Sequence, residues 1–204
     1  MPHTLMILAE ARCLPGTEDE AAAVWRKIAD AMNTPSQLYK EHEDNVLLSL
    51  TPVTDATLPA YLAQQHRSQL VTLSPLLVRD IRSQVLEEVE TVRPASSASP
   101  YATWLQVRHV EVVPQRIPEY RAWRERTIFN VVRGMPMITS FTAYDSLISS
   151  DPGVTFLVGY EGQRADIEAA FISPEYARIA QEARQFLVGS PPTLTVRTFK
   201  RLTA

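Results

Sequence analysis

The stretch YATWLQVRHVEVV at 101–113 decides the fold, because it begins the clearer of two units that share one order of elements. Its β-branched and aromatic residues favour a long strand, which Pro114 ends. A helix is predicted from about Ile117 to Val132, with Gly134 as its C-cap. The unit is completed by two hairpin strands, a long helix broken at Pro174 and a last strand, at 137–147, 153–161, about 165–187 and 193–202. Its order is β-α-β-β-α-β.

The first unit has the same order with weaker signals. A strand at 4–14 precedes Thr17-Glu18-Asp19-Glu20, a capping-box pattern that predicts a helix to about Met32. A hairpin and a second helix are predicted at 35–42, 45–53 and 58–66. The segment 78–92 fits helix or strand by periodicity, and its position in the repeat predicts a strand. Trp25 and Trp123 occupy matching places in the two first helices.

This duplication predicts an α+β protein built from two ferredoxin-like βαββαβ repeats. Residues 1–92 form the first repeat, 93–100 (RPASSASP) a linker, and 101–204 the second repeat, which we expect to carry the active site. The strands have apolar residues on both faces, whereas helices cover one face of such a sheet. The two sheets should therefore close on each other as an intrachain dimeric α+β barrel. Further association of outer helices would give a homodimer.

Composition and charge narrow the classes of function. The chain has 204 residues and a formal net charge of -3, with no run of Lys or Arg, so nucleic acid is not an expected partner. The single cysteine, Cys13, excludes an intrachain disulfide and fits a reducing cytoplasm. Glu10 and Arg12 interrupt the first apolar run, which argues against a signal peptide or a membrane span. We expect a cytoplasmic protein that acts on a small molecule or on another protein.

The second unit resembles a known family in three stretches, TWLQVRHVEVVP (103–114), YRAWRERTIFNVVRG (120–134) and SSDPGVTFLVGY (149–160). The family is that of the antibiotic biosynthesis monooxygenases, in the dimeric α+β barrel superfamily. The stretches look most like the tandem-repeat oxygenases that open or rearrange angucyclinone rings in jadomycin- and gilvocarcin-type pathways. The resemblance implies an oxygenase of an aromatic polyketide, an angucyclinone or an anthrone-like hydroquinone, and it leaves both hydroxylation and oxidative C–C bond cleavage open as the reaction.

The resemblance also implies oxygenation without a metal or a tightly bound flavin. Molecular oxygen would be the oxidant, and a separate flavin reductase would supply reduced flavin where it is needed. The sequence agrees, because its four histidines are scattered without ligand spacing and it has no glycine-rich dinucleotide motif. An electron-rich phenolate can donate an electron to oxygen. The aromatic substrate would thus carry the chemistry, while the protein supplies a base, a dry pocket and charge stabilisation.

His109 is the first candidate for the base, since histidine is the commonest general base and His109 alternates with Leu105 and Val107 on one strand face. A core histidine hydrogen-bonded to a backbone carbonyl is the alternative. The other face of the strand, which carries Trp104 and Arg108, is predicted to point between the two sheets. Contact between units is the favoured role for Arg108.

The other candidates follow from the needs of a flat polycyclic substrate. Trp123 and Asn130 are assigned to the catalytic group beside His109, with core packing as the alternative for Trp123. Arg124 lies on the apolar stripe of its helix, where it would be buried with a partner or face an anionic intermediate. The remaining substrate-binding candidates are aromatic: Trp104, Phe129, Tyr144, Tyr160, Phe171 and Tyr176.

Two other classes of function stay open. A non-oxidative polyketide cyclase or isomerase of this fold would move a proton and consume no oxygen. A haem-degrading or small-ligand-binding relative would need an axial ligand such as His109. Oxygen uptake separates the first class from an oxygenase, and a Soret band on adding haem would identify the second.

Overall fold

The structure, a computed structural model, describes residues 4–95, 102–192 and 194–203. These residues form two compact units. The first comprises 4–88, 146–151 and 198–203, and the second comprises 89–95, 102–145, 152–192 and 194–197. Of the predicted linker at 93–100, the part from 96 onwards lies outside the described residues.

The N-terminal half follows the predicted order of elements. They are β1 (Thr4–Arg12), α1 (Glu18–Ala31), β2 (Gln37–Glu41), β3 (Val46–Thr54), α2 (Leu58–Ala60), α3 (Arg67–Leu73) and β4 (Arg82–Arg93). A π-helical turn, Tyr61–His66, joins α2 to α3, and a 3₁₀ turn, Ser74–Leu76, follows α3. The helix predicted at 58–66 thus continues further, because Leu73 is buried in the core of the first unit.

The C-terminal half also keeps the predicted order. Its elements are β5 (Trp104–Val110), α4 (Ile117–Arg126), α5 (Ile128–Arg133), β6 (Ile138–Ile148), β7 (Val154–Tyr160), α6 (Arg164–Phe171), α7 (Pro174–Ala183) and β8 (Leu194–Arg201). Thr127, at φ −118° and ψ −84°, divides the helix predicted at 117–132 into α4 and α5. The break predicted at Pro174 is confirmed, since α7 begins there and the Ser173 hydroxyl accepts from the Tyr176 N–H at 3.3 Å.

Thr17 precedes α1, but its side chain does not cap the helix as predicted. Its Oγ1 lies 2.9 Å from the carbonyl oxygens of both Leu14 and Leu76. The hydroxyl therefore donates to a carbonyl and ties the loop before α1 to the 3₁₀ turn after α3. The acidic first turn still stabilises α1, because negative charge at a helix N-terminus is favourable.

Both units contain an antiparallel sheet with one strand order: fourth, first, third, second. In the first unit this is β4-β1-β3-β2, and in the second it is β8-β5-β7-β6. The mixed α+β class predicted from the repeats is confirmed. Strands β4 and β8 each contribute residues to both units, so the last residues of β8 pair with β2 in the first unit, where Phe199 lies opposite Glu41.

The core of the second unit lies between its sheet and its helices. Residues from one face of β5, β6 and β7 pack against α4, α5 and α7. On the sheet these are Val110, Phe141, Ala143, Phe156 and Val158, and on the helices they include Tyr120, Trp123, Phe129, Val132 and Ile179. The aromatic rings on both sides leave a cavity within this layer.

Candidate functional site

Strand β5 presents alternating residues to the two faces of the sheet of the second unit. Arg108 packs on the helical side, because its Nη1 donates to the hydroxyl of Tyr176 in α7 at 3.0 Å. Val110 shares that side and joins the core beneath the helices. The face assignment made from the sequence is therefore wrong: Arg108 points at helices and not between sheets. The physical reason is that a buried guanidinium needs hydrogen-bond acceptors, which α7 and β5 supply.

A cavity of about 260 Å³ lies in this layer of the second unit. Its walls are largely apolar and aromatic, and four aromatic rings line it, those of Tyr120, Phe141, Phe156 and Tyr176. Apart from tyrosine, the ionisable groups among its described lining residues are Arg108 and Arg184. An apolar pocket with a few convergent polar groups is typical of small-molecule sites.

Arg108 is 4% exposed, and its guanidinium is held by neutral groups. Nε and Nη2 donate to Gln106 Oε1 at 3.1 and 2.7 Å, and Cζ lies 3.4 Å from the centroid of the Phe171 ring. Burial lowers the pKa of Arg108 from its ordinary value, and Tyr176 opposes that shift. Arginine stays cationic in proteins, so a positive charge faces an apolar cavity.

Tyr120 brings a second donor to the cavity. It is 2% exposed, and among the described residues no group accepts a hydrogen bond from its hydroxyl. Burial raises the pKa of Tyr120, while nearby Arg124 acts in the opposite direction. Its phenol therefore remains protonated near neutral pH. A cavity that holds a fixed cation and a free O–H donor is suited to a ligand with anionic and carbonyl oxygens.

Trp123 and Asn130, which the sequence assigns to the catalytic group, lie apart from the cavity lining. Trp123 is buried and donates from Nε1 to Glu182 Oε2 at 3.3 Å, while its ring packs against Phe186. Asn130 is exposed on α5, where its Nδ2 donates to the Arg126 carbonyl at 2.9 Å. Both residues support the helices that cover the cavity, and their catalytic role remains a prediction.

Two candidates on the helices, Arg124 and Phe129, are fully buried behind the cavity wall. Arg124 donates from Nη2 to Glu90 Oε2 at 3.2 Å, and its Cζ lies 5.3 Å from the Phe129 ring centroid. Its Nε and Nη1 have no hydrogen-bond partner among the described residues. The sequence predicts burial with a partner or contact with an anion for Arg124, and Glu90 is that partner.

Three of the aromatic candidates, Phe171, Tyr176 and Trp104, have distinct positions on the helical side. Tyr176 lines the cavity, and Phe171 supports Arg108 and meets Tyr176 edge-on, with ring centroids 4.8 Å apart. Trp104 stacks on buried Tyr160, with ring centroids 6.3 Å apart and an interplanar angle of 11°. Trp104 and Tyr160 thus form a separate stack outside the cavity lining.

His109 and Tyr144 share the sheet face opposite the cavity. They lie in one row, because Thr155 of β7 is the register partner of His109 on β5 and of Tyr144 on β6. His109 Nε2 lies 3.2 Å from the carbonyl oxygen of Pro152, to which it donates in the matching tautomer. The contact with a backbone carbonyl named in the alternative is present, but His109 is half-buried and not a core residue, and its role remains a prediction. Neither residue lines the cavity of the second unit.

The other described parts of the structure have fewer groups suited to binding or catalysis. The first unit has a cavity of about 270 Å³ beside the π-helical turn, and its described lining residues carry no charged group. In the described ranges no cluster of three His, Cys, Asp or Glu residues is arranged to hold a metal ion. No helix within these ranges is both long enough and apolar enough to span a membrane.

Sequence reasoning missed Tyr120 and gave Arg108 a different role. A signal for Arg108 was present, because its charged side chain alternates with Val110 on one face of a strand whose other face carries Leu105 and Val107. Tyr120 precedes Trp123 by three residues and so shares its helix face. The sequence does not show that the side chains of Arg108 and Tyr120 line one cavity, since these residues lie on different elements.

Comparison with known proteins supports the fold. No family model matches the chain, and no curated protein matches its sequence. Solved structures do match over nearly the whole chain. An anthrone oxidase-like protein superposes with a TM-score of 0.76 at 12% identity, covering 100% of this chain and 92% of the other.

Two further structures come from Listeria monocytogenes. A ferredoxin-fold protein related to antibiotic biosynthesis monooxygenases has a TM-score of 0.60 at 7% identity, covering 100% of this chain and 97% of its own. A haem-degrading enzyme has a TM-score of 0.56 at 8% identity, and the match covers 96% of this chain and 98% of the enzyme. At such identities the likeness establishes a shared ferredoxin-like fold, and function must be argued from the site.

Proposed function

We propose that the chain is an oxygenase of aromatic polyketides that uses molecular oxygen in the cavity of the second unit. The observation that carries the proposal is Arg108, a buried cation in an aromatic-walled cavity with no carboxylate among the described lining residues. An isolated buried charge is costly, and an anionic ligand oxygen would offset that cost. The resemblance of the second unit to antibiotic biosynthesis monooxygenases, and the fold shared with an anthrone oxidase-like protein, support the same class.

The simplest reaction that fits the cavity is the oxidation of an anthrone to an anthraquinone. A ring CH₂ loses both hydrogens, one oxygen atom of O₂ becomes the ketone oxygen, and the other leaves as water. The four electrons lost by carbon reduce O₂ completely, so no other reductant enters. The reaction begins when the anthrone loses a proton and becomes an electron-rich enolate, which can pass an electron to oxygen.

The residues of the cavity would act on the substrate and its charge. Arg108 would bind the enolate oxygen and so lower the pKa of the bound anthrone, which releases its proton to water at the cavity mouth. Tyr120 would donate its O–H to a second ring oxygen and fix the orientation of the ring. Phe141 and Phe156 provide flat walls and exclude water from the reactive intermediate. The electrons that reduce oxygen then come from the substrate, and the protein binds and orients that substrate.

The finer predictions from the sequence remain proposals. These are an angucyclinone substrate with C–C bond cleavage, a separate reductase that keeps the substrate reduced, the intrachain α+β barrel, a homodimer, and a cytoplasmic location. The catalytic assignment of His109 is harder to reconcile with the cavity, because His109 lies on the other face of the sheet. A base at that position would serve a ligand bound elsewhere.

Oxygen uptake tests the proposal. Purified protein mixed with a dihydroxyanthrone should consume one O₂ per anthraquinone formed, faster than buffer alone, and ¹⁸O₂ should label the new ketone. The Arg108→Gln variant tests the role of the cavity: if it is correctly folded, it should lose most of this rate. Turnover of a polyketide without oxygen uptake would instead indicate a cyclase or isomerase. A Soret band on adding haem would favour haem binding, although no described lining residue is His or Cys.

A further inference from the structure

The cavity of the second unit has a second cationic side chain, at its mouth. Arg184 follows α7 as the first residue of a 3₁₀ turn, Arg184–Phe186, and it is exposed to solvent while lining the cavity. Leu194, which is 39% exposed, lines the cavity beside it. Arg184 therefore marks the place where the cavity reaches solvent, whereas Arg108 lies in its buried part.

Neither arginine of the cavity is neutralised by a carboxylate of the part of the chain that the structure describes. Among the described residues, no carboxylate lies within ion-pair distance of Arg108 or Arg184. Six other arginines of the second unit do form ion pairs, although exposed Arg126 does not within the described ranges: Arg116–Glu119, Arg121–Asp145, Arg124–Glu90, Arg133–Glu125, Arg164–Glu168 and Arg178–Glu182. The chain has 23 acidic residues against 20 basic ones, so acidic partners are not scarce. The cavity thus keeps two uncompensated positive charges in an acidic protein.

We infer that the substrate carries two acidic groups, an ionisable ring oxygen for Arg108 and a carboxylate for Arg184 at the mouth. The inference rests on the proposed function and narrows its substrate class to aromatic polyketide acids. Guanidinium groups bind carboxylates through two parallel N–H···O bonds, which gives direction as well as attraction. Apolar residues that line the same cavity, such as Val110 and Ile179, suit the rings that join the two acidic groups.

A basic residue at the position of Arg184 also has a purely structural explanation, which has to be distinguished from binding of a substrate carboxylate. A basic residue at the end of a helix is stabilised by the helix dipole, typically by about 0.3–1 kcal/mol. That effect acts on the free protein and does not discriminate between ligands. Ligand preference is therefore the readout that distinguishes the two roles of Arg184.

Two matched anthraquinones provide the probes, 1,8-dihydroxyanthraquinone-3-carboxylic acid and its 3-methyl analogue. Their affinities are measured by quenching of tryptophan fluorescence and by calorimetry. The wild-type protein should bind the acid about fivefold to tenfold more tightly than the methyl analogue. The preference should shrink at high salt, because an exposed charge pair is screened.

Two variants locate the effect. Arg184→Gln should bind both probes equally, with the affinity for the methyl analogue unchanged. Arg126→Gln is the matched control, because Arg126 is exposed on α4, does not line the cavity and forms no ion pair among the described residues. That variant should keep the wild-type preference.

The outcomes separate this inference from the proposed function. Equal binding of the two probes to wild-type protein, or a preference that survives Arg184→Gln, overturns the role of Arg184 and leaves the oxygenase proposal standing if oxygen uptake is seen. If neither probe binds and no anthrone is oxidised, both proposals fail together.

Discussion

The guanidinium carbon of Arg108 lies 3.4 Å from the centroid of the Phe171 ring, so the buried cation rests on an aromatic face. A ring face attracts a cation without neutralising its charge. The amide oxygen of Gln106 and the hydroxyl of Tyr176 complete its surroundings with neutral acceptors. The charge of Arg108 is therefore fixed in position yet still available to a ligand anion, and this arrangement underlies the proposed site.

Replacing Arg108 by Gln should lower kcat for anthrone oxidation about 100-fold, because a preorganised donor to a developing oxyanion is lost. Oxygen-electrode assays measure the rate, and circular dichroism confirms folding. Arg108→Lys keeps a charge but not the forked contact with Gln106, so an intermediate rate is expected. A folded Arg108→Gln variant with wild-type turnover would contradict the assignment.

Replacing His109 by Ala should change turnover by no more than about twofold, since His109 faces away from the cavity. The same assay measures this across pH 6–9. A loss of tenfold or more that recovers at high pH would restore His109 as the base and place the reaction on the other face of the sheet.

Arg93 should contribute to stability by capping α5. Its guanidinium donates to the carbonyls of Met135, Ile138 and Arg133, the first at 2.6 Å and the last at 3.2 Å. Arg93→Ala should lower the free energy of unfolding by about 1.5–3 kcal/mol, measured by urea denaturation. Arg82→Ala, an exposed change on the same strand, should cost less than about 0.5 kcal/mol. Equal costs for the two variants would exclude a capping role.

Replacement by alanine should have opposite effects on stability at two glycines. A Cβ at Gly159 would overlap Ser140 Oγ and lie 2.9 Å from Ala102 Cβ, so Gly159→Ala should destabilise by about 1–3 kcal/mol. Gly134 has φ −81° and its added Cβ would meet no atom closer than 3.4 Å. Gly134→Ala should therefore be neutral or stabilise by up to about 1 kcal/mol. Thermal melts compare the two variants, and a reversed order would contradict the packing at Gly159.

Cys13 should be unreactive in the native protein. It is 1% exposed, and burial raises the pKa of its thiol to about 11. Iodoacetamide at pH 8 should label it in urea but not in buffer. Because the folded-state pKa is raised, the stabilising effect of the protonated thiol is present below pH 9 and is lost as the pH rises towards 11. Rapid labelling in buffer would show that the thiol is accessible.

The sequence by itself determined the order of elements. The duplication of βαββαβ, the hairpins and the break at Pro174 follow from local periodicity, proline positions and turn residues, which act over a few neighbours. Predictions failed where distant residues decide the local structure. The Thr17 side chain bonds to Leu76, 59 positions away, instead of capping α1, and Thr127 divides the helix predicted at 117–132.

Tertiary structure alone decided which face of β5 meets the helices. Alternation separates Arg108 from His109, but it assigns neither to a side, because both faces of the strand carry apolar residues. The choice depends on α7, which brings Tyr176 to Arg108 across 68 positions of sequence. Burial of a cation is tolerated where distant elements supply its partners, and that condition is met by packing rather than by spacing along the chain.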